Sequence, residues 1–275
     1  MLLDVAATVL ANTPLSSDYN VIALAAPDIA RAAAPGQFVM VKPQPGFDPL
    51  LRRPFSIFEI LRDASGAATG LSLLNKRVGV GTSLLFAARP GDTIQVLGPL
   101  GRPFTPVDPP QEAWMVAGGV GLAPFATLTE ALAARGTRMR LFYGARSASD
   151  LHYADAFERM GAALVLTTED GTRGERGRIT APLARALQDI PSGFDVTLYA
   201  CGPTPMMRAV AELGEAVGRP VFVSLEQVMG CGMGGCYSCV VRVRRGEGST
   251  FVRSCLDGPV FDSRAIVWEA LGAGH

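Results

Sequence analysis

Four cysteines crowd into the last fifth of the chain: Cys231, Cys236, Cys239 and Cys255, in the local text MGCGMGGCYSCVVRV and FVRSCLDGPVF. The run C-x4-C-x2-C with a distant fourth Cys is the plant-type spacing of thiolates that hold a [2Fe–2S] cluster, a carrier of single electrons. Gly230, Gly232, Gly234 and Gly235 are interleaved with them. A loop wrapped round a cluster needs left-handed backbone positions and bare N–H groups near sulfur, and glycine supplies both. The competing chemistry is a structural zinc site. Such sites usually show two C-x2–4-C pairs, and the second half here offers one Cys, so the spacing favours the cluster. A disulfide scaffold would spread its cysteines along the chain and imply secretion.

Three further motifs carry potential chemistry. Arg52-Arg53-Pro54-Phe55-Ser56 stands at the entry to an apolar strand. The Arg53 fork suits a pyrophosphate while backbone and hydroxyl at Ser56 face a flavin ring, although two arginines before a strand are equally a solvated edge. Downstream, Asn75-Lys76 and then Gly79-Val80-Gly81-Thr82 make a Gly-rich turn opening a short helix, whose N-terminus is an anion site. Gly118-Gly119-Val120-Gly121 follows the strand AWMVA and precedes a helical run, so a phosphate could approach the backbone there. The spacing is not G-x-G-x-x-G, and a tight ligand-free turn is the bland alternative. Cys201-Gly202-Pro203 ends a later strand, with Cys201 either beside a nicotinamide or an ordinary buried thiol.

No hydrolytic apparatus is legible. Two histidines exist, His152 and the terminal His275, and His152 in SDLHYADAF reads as a helix-surface residue. Twenty-five basic residues balance twenty-five acidic ones, so no global field draws the chain to nucleic acid or an anionic membrane. No stretch reaches the roughly 18 uncharged apolar residues of a membrane span, and MLLDVAATVLANTPL lacks a basic start and a cleavage site, so it reads as a first strand of a cytoplasmic protein.

The elements that must position these motifs fall into three blocks. Residues 1–105 show short β-type runs (21–26, 37–43, 55–60, 71–76, 93–99), the texture of a small antiparallel barrel. GRPFTPVDPPQE, with four prolines, interrupts any regular element and marks a boundary. Residues 106–225 alternate strands (113–119, 139–145, 162–168, 195–202, 220–226) with helices (122–135, 150–160, 179–188, 204–217), which indicates a doubly wound parallel α/β sheet with ligands at the strand carboxyl ends. Residues 226–275 are Gly- and Cys-rich, then briefly helical.

In this order the motifs resemble the ferredoxin–NADP reductase superfamily, and the Cys-rich tail narrows the resemblance to the electron-transfer subunits of two-component, NAD-dependent dihydroorotate dehydrogenases. It extends from Val5 to about Phe261. It implies FAD on the barrel through R-P-x-S (Arg53, Pro54, Phe55, Ser56), with further FAD contacts at Leu74, Asn75, Lys76, Gly81 and Thr82. It implies NAD at Gly118, Gly119 and Gly121 and at Cys201, Gly202 and Pro203, and [2Fe–2S] ligation by Cys231, Cys236, Cys239 and Cys255. Asn75 departs from the aromatic or aliphatic residue expected near the flavin, and the apolar tail 263–275 is extra. The family passes electrons from a separate FMN-bearing catalytic subunit through the cluster and FAD to NAD in pyrimidine biosynthesis, within a heterotetramer. A partner is implied, because a catalytic barrel alone needs about 250 residues.

Neighbouring readings share these parts: flavin subunits of ferredoxin:NAD(P) reductases, hydrogenases or sulfide dehydrogenases. A phthalate-dioxygenase-type reductase fits less well, since about 50 residues after 226 are short for an independent ferredoxin domain. A zinc-stabilised redox-sensing module would not need the flavin-like and nucleotide-like motifs. In the loop EDGTRGERGR, Glu169 and Asp170 favour a free ribose hydroxyl while Arg173 and Arg176 could accept a 2′-phosphate, and the resemblance favours NAD.

Overall fold

The computed structural model describes residues 2–191 and 193–272, so His275 lies outside the described residues. The first unit contains β1 (Leu3–Pro14), β2 (Tyr19–Ala25), α1 (Pro27–Ala32), β3 (Phe38–Lys42), β4 (Arg53–Ser56), β5 (Glu59–Arg62), β6 (Ala68–Lys76), α2 (Val80–Ala87) and β7 (Thr93–Leu100). Its strands form one antiparallel sheet in the order β4-β3-β7-β1-β2-β6-β5. Alternate residues on each strand fill one core: Ala7 and Val9, Ile22 and Leu24, Val39 and Val41, Leu71 and Leu73, Ile94 and Val96. Ile29 of α1 and Leu85 of α2 join that core.

The two edge strands, β4 and β5, are consecutive in the chain. The link between them spans the seam, with the Ile57 N–H donating to the Gln37 carbonyl (3.0 Å) and the Phe58 N–H to the Ser72 carbonyl (2.9 Å). The sheet therefore curls onto itself and leaves little free edge. The sequence reads FSIFEI as one strand; the structure breaks it at Ile57 and Phe58, both fully buried, because those two residues serve opposite edges.

The second unit follows residues 101–111, which carry no helix or strand. It contains β8 (Glu112–Gly118), α3 (Phe125–Ala134), β9 (Met139–Ala145), α4 (Ala154–Arg159), β10 (Ala162–Thr168), β11 (Glu175–Arg176), α5 (Thr180–Gln188), β12 (Val196–Cys201), α6 (Thr204–Ala216) and β13 (Val221–Ser224). The last stretch adds β14 (Val240–Arg245), β15 (Gly248–Arg253), α7 (Ser254–Asp257) and β16 (Val260–Asp262). The second sheet runs β11-β10-β9-β8-β12-β13-β16, parallel throughout except for β16 on β13. Strand order reverses between β8 and β12, whose carboxyl ends lie side by side with Ala117 in register with Cys201. Such a switch point is where open α/β sheets bind ligands.

One face of this sheet packs Met115, Leu128, Leu132 and Leu141 in a core that continues into Tyr19, Phe58 and Leu74 of the first unit. The other face packs Trp114, Val116, Leu183, Leu198 and Val210. The Cys-rich stretch is not a separate body, since β16 completes the second sheet's edge. The β14–β15 hairpin goes beyond the sequence reading, although V-V-R-V-R before G-E-G carries its alternation. The apolar tail, as far as it is described, covers core: Ile266 is fully buried and Trp268 and Leu271 pack on the α6–β13 side.

Candidate functional site

The four thiols of the cysteine loop are neighbours: Cys236 interacts with Cys231, and Cys255 with Cys239 and, less strongly, with Cys231. Cys239 and Cys255 are buried, Cys231 is half-buried and Cys236 is exposed. The Met233 N–H donates to the Cys231 sulfur at 3.3 Å, and the Ser238 hydroxyl lies 3.1 Å from the Cys236 sulfur while accepting the Gly230 N–H at 2.9 Å. The Ser238 hydroxyl, followed by its backbone N–H, holds Cys236 down at about 6, whereas burial pushes Cys255 up to about 12. Among the described residues no three His, Cys, Asp or Glu side chains converge on one point. Four neighbouring thiols, with an N–H donor at Cys231 and a hydroxyl at Cys236, fit the four-thiolate demand of a [2Fe–2S] centre, which these residues would hold.

The loop's backbone is held in an uncommon shape. Gly232 and Gly234 have φ of +73° and +81°, and Tyr237, which is not a glycine, has φ of +60°. Arg253 of β15 fixes Tyr237 by laying its guanidinium 5.0 Å from the ring centroid, and it donates to the Gly234 carbonyl at 3.0 Å. Behind the loop, Cys239, Cys255 and Met229 share a buried layer with Phe38 and Met40 of β3 and Leu97 and Leu100 of β7.

That layer leads to the second site. In the β3–β4 ladder Met40 stands opposite Pro54 and Phe38 opposite Ser56, while Val41 stands opposite Arg53 and Val39 opposite Phe55. Directly paired residues share a face. Pro54 and Ser56 therefore lie on the side of the cysteine layer, and Arg53 and Phe55 on the other. A Cβ at Gly81 would sit 3.4 Å from the Arg53 Cγ and 3.7 Å from its Nε, so the side chain crosses the first turn of α2. The Thr82 hydroxyl accepts from the N–H groups of Val78 (2.9 Å) and Gly79 (3.0 Å) and closes that turn, which has no acidic residue. A guanidinium beside helix N–H groups is an arrangement suited to an anion such as a phosphate. Of the two arginines, Arg52 is held in a fork by Asp4 at 2.8 and 2.9 Å, and Arg53 makes no ion pair among the described residues.

The side chains of Leu74, Asn75 and Lys76, the three other residues expected to contact FAD, are placed as follows. Leu74 points into the core shared by the two units, and Lys76 holds its Nζ 5.2 Å from the Tyr19 ring. Asn75 is fully buried and donates to the Thr82 carbonyl at 3.0 Å, so the departure in sequence is an interior support beneath α2.

At the switch point the two glycine motifs pack on each other. A Cβ at Gly121 would collide with the Cys201 carbonyl and come within 2.7 Å of the Gly202 nitrogen, and one at Gly118 would reach 2.8 Å from the Pro203 Cδ. Gly118 and Gly121 are thus required by loop-on-loop contact. At Gly119, with φ of +54°, a Cβ would meet nothing nearer than the Tyr19 hydroxyl at 3.9 Å, so the space on that side is open. Burial, and then Glu226, pushes Cys201 up to about 12, so it stays a neutral thiol. In the 169–178 loop Asp170 is spent on Thr172 (3.0 and 2.7 Å) and Arg173 on Asp155 (3.1 Å), leaving Glu169 and Arg176 exposed.

Two family models match: an oxidoreductase NAD-binding domain over residues 115–212 and the iron-sulfur cluster binding domain of dihydroorotate dehydrogenase B over residues 226–267. The dihydroorotate dehydrogenase B (NAD(+)) electron transfer subunit of Geobacillus kaustophilus is 42% identical over 85% of this chain and 86% of its own. That of Desulforamulus reducens is 38% identical over 89% of this chain and 90% of its own. The chain belongs to this family of electron transfer subunits. Among solved structures, that of an NADH-dependent reduced ferredoxin-NADP oxidoreductase, described for flavin-based electron bifurcation, superposes with TM-score 0.83 at 27% identity, covering 97% of this chain and 91% of the other. A Neisseria gonorrhoeae ferredoxin NADP+ reductase with bound FAD and NADP shares the fold, with TM-score 0.62 at 18% identity over 78% of this chain and 92% of its own. The dihydroorotate dehydrogenase B electron transfer family thus spans both sheets and the cysteine loop.

Among the described residues no helix is long and apolar enough to cross a membrane. Sequence reasoning did not find Ser238, Tyr237, Arg253 or Met40. Ser238 lies inside the Cys motif and was legible as a sulfur hydrogen-bond donor, whereas Met40 is nearly two hundred positions away and carries no local signal.

Proposed function

We propose that this chain is the electron-transfer subunit of a two-component dihydroorotate dehydrogenase, taking electrons from an FMN-bearing dihydroorotate-oxidising partner and delivering them to NAD. When bound, FAD exchanges two electrons with a nicotinamide or one at a time with a [2Fe–2S] centre, so its place is between them. The observation that carries the reading is the single buried layer of Phe38, Met40, Leu97 and Leu100 that joins the Cys239–Cys255 pair to the face of β4 bearing Ser56.

In this reading Cys231, Cys236, Cys239 and Cys255 hold the cluster, with Cys236 at the surface where a partner approaches. Arg53 and the first-turn amides of α2, with Gly81 and Thr82, hold the FAD pyrophosphate, and the Pro54–Ser56 backbone borders the flavin. Gly119 and the loop 118–121, braced by Cys201, Gly202 and Pro203, take NAD at the switch point. Cys201 puts no negative charge against the nicotinamide. The working divisions are 1–105, 106–225 and 226–275, and the requirement for four reduced thiols suits the cytoplasm.

A second reading, a ferredoxin-linked NAD(P) oxidoreductase subunit, is favoured by the 27% identity and TM-score of 0.83 to the bifurcating enzyme. Anaerobic purification with and without a co-expressed dihydroorotate-oxidising flavoprotein separates the two. About one FAD and two irons per chain, with dihydroorotate-to-NAD activity in the co-expressed sample alone, supports the first reading. The same cofactors without that activity move the assignment to ferredoxin-linked enzymes, and zinc without flavin overturns both.

A further inference from the structure

Three asparagines from three strands of the barrel form a directed hydrogen-bond relay under α2. Asn12 of β1 donates its amide to the carbonyls of Leu85 (3.1 Å), Phe86 (3.1 Å) and Ala88 (2.8 Å), the last turn of the helix. Three carbonyls demand a donor, so the Asn12 nitrogen must face them and its oxygen must face inward. That oxygen accepts from the Asn20 amide at 2.5 Å, and the Asn20 oxygen in turn accepts from the Asn75 amide at 2.7 Å. Asn75 donates as well to the Thr82 carbonyl at 3.0 Å, in the first turn of the same helix. Each orientation is dictated by the one before it, and both ends of the relay are anchored on α2.

The relay is costly where it stands. Asn20 and Asn75 are fully buried and paired across β2 and β6, and the Asn75 Oδ1 is left without a partner. A buried carboxamide with an unsatisfied oxygen works against folding, and apolar residues of the same shape would remove that cost. What the relay supplies in return is position: it sets where the first turn of α2, with Gly81 beneath the Arg53 side chain, lies relative to β4.

We infer that Asn12, Asn20 and Asn75 are positioning residues for the FAD pyrophosphate site, holding the α2 amides in place opposite Arg53. This rests on the reading that Arg53 and α2 bind FAD. The half-buried Asn12→Asp keeps the oxygen that Asn20 needs and turns the donor facing three carbonyls into an acceptor. Asn20→Asp keeps the shape and the bond from Asn75 but loses the donor to Asn12.

The test measures flavin released on dilution of the purified holoprotein, together with iron content, the visible circular dichroism of the cluster, and NADH oxidation with ferricyanide as acceptor. Both variants are expected to bind FAD about tenfold more weakly, with cluster spectrum and iron unchanged, and added FAD should restore kcat with KM for NADH unaltered. Asn12→Gln, which restores a donor, should recover part of the affinity. Affinity within about twofold of the parent in both aspartate variants overturns the inference, and so does joint loss of flavin and cluster, which would make the relay a support of the whole fold. Arg53→Ala runs in parallel: if it too leaves FAD affinity unchanged, the FAD reading fails, whereas weak binding there beside normal binding in the asparagine variants removes the relay alone.

Discussion

Gly232, between the first two cysteines of the set, lies directly on Met40 of β3: a Cβ at 232 would collide with the Met40 Cγ. The loop that offers thiols to solvent on one side is thus seated on the barrel by its other side. Just past β7, the Arg102 N–H donates to the Gly258 carbonyl at 2.6 Å and ties down the turn that follows Cys255.

Gly232→Val should unseat the loop, because it adds a collision to a φ of +73° that valine strongly disfavours. A loss of about 1–3 kcal/mol is expected, with less iron per chain and FAD retained. Thermal unfolding together with iron analysis reads both, and a full iron complement with unchanged melting would show that the contact does not hold the loop.

The four cysteines of the loop should behave as a set from which Cys201 is excluded. Cys231→Ser, Cys236→Ser, Cys239→Ser and Cys255→Ser should each lose iron and acid-labile sulfide. Cys201→Ser should keep both, since Cys201 lies at the switch point in register with Ala117. Retention of a full cluster after loss of any one of the four would remove that cysteine from the ligand set.

Gly121→Ala should separate the two switch-point loops, because its methyl meets the Cys201 backbone and not a flexible side chain. We expect KM for NADH to rise by about tenfold or more, with flavin and iron content unchanged. Steady-state kinetics with an artificial acceptor measures this, and an unchanged KM would mean that the loops do not shape the nucleotide site.

His152 predicts a pH dependence of the contact between the two units. Its ring is 4.7 Å from that of Tyr19, its Nε2 is buried without a partner, and burial lowers its pKa from the ordinary 6.5, with Asp150 opposing. The unfolded chain therefore takes up a proton near pH 6.5 that the folded chain resists, so stability falls as pH drops below that value. Urea titrations between pH 7.5 and about 5.5 should show this fall, and His152→Leu should flatten it. Equal slopes for the two proteins would exclude His152 as the source.

Local pattern carried much of this. The Cys spacing identified the cluster because ligation by a short loop is itself a local property, and strand–helix alternation identified the second sheet because each unit is set by adjacent residues. The single strand read at 55–60 is two edge strands, since closure of the sheet is a property of Gln37 and Ser72, which are far from it in sequence. The helix-surface reading of His152 fails for the same reason: it precedes α4 and its ring packs on Tyr19 of the other unit.

The sequence by itself determined which chemistries the chain can hold: thiolates at cluster spacing, an arginine before a strand, and glycines where strands meet helices. Tertiary structure alone decided how those groups relate. Register put Ser56 and Phe38 on one face, packing gave Gly118 and Gly121 to loop contact and left Gly119 open, and the asparagine relay fixed α2. The physical reason is range. Ligand identity and turn conformation are written within a few residues, whereas the distance between two sites is set by side chains that meet only after the sheets have formed.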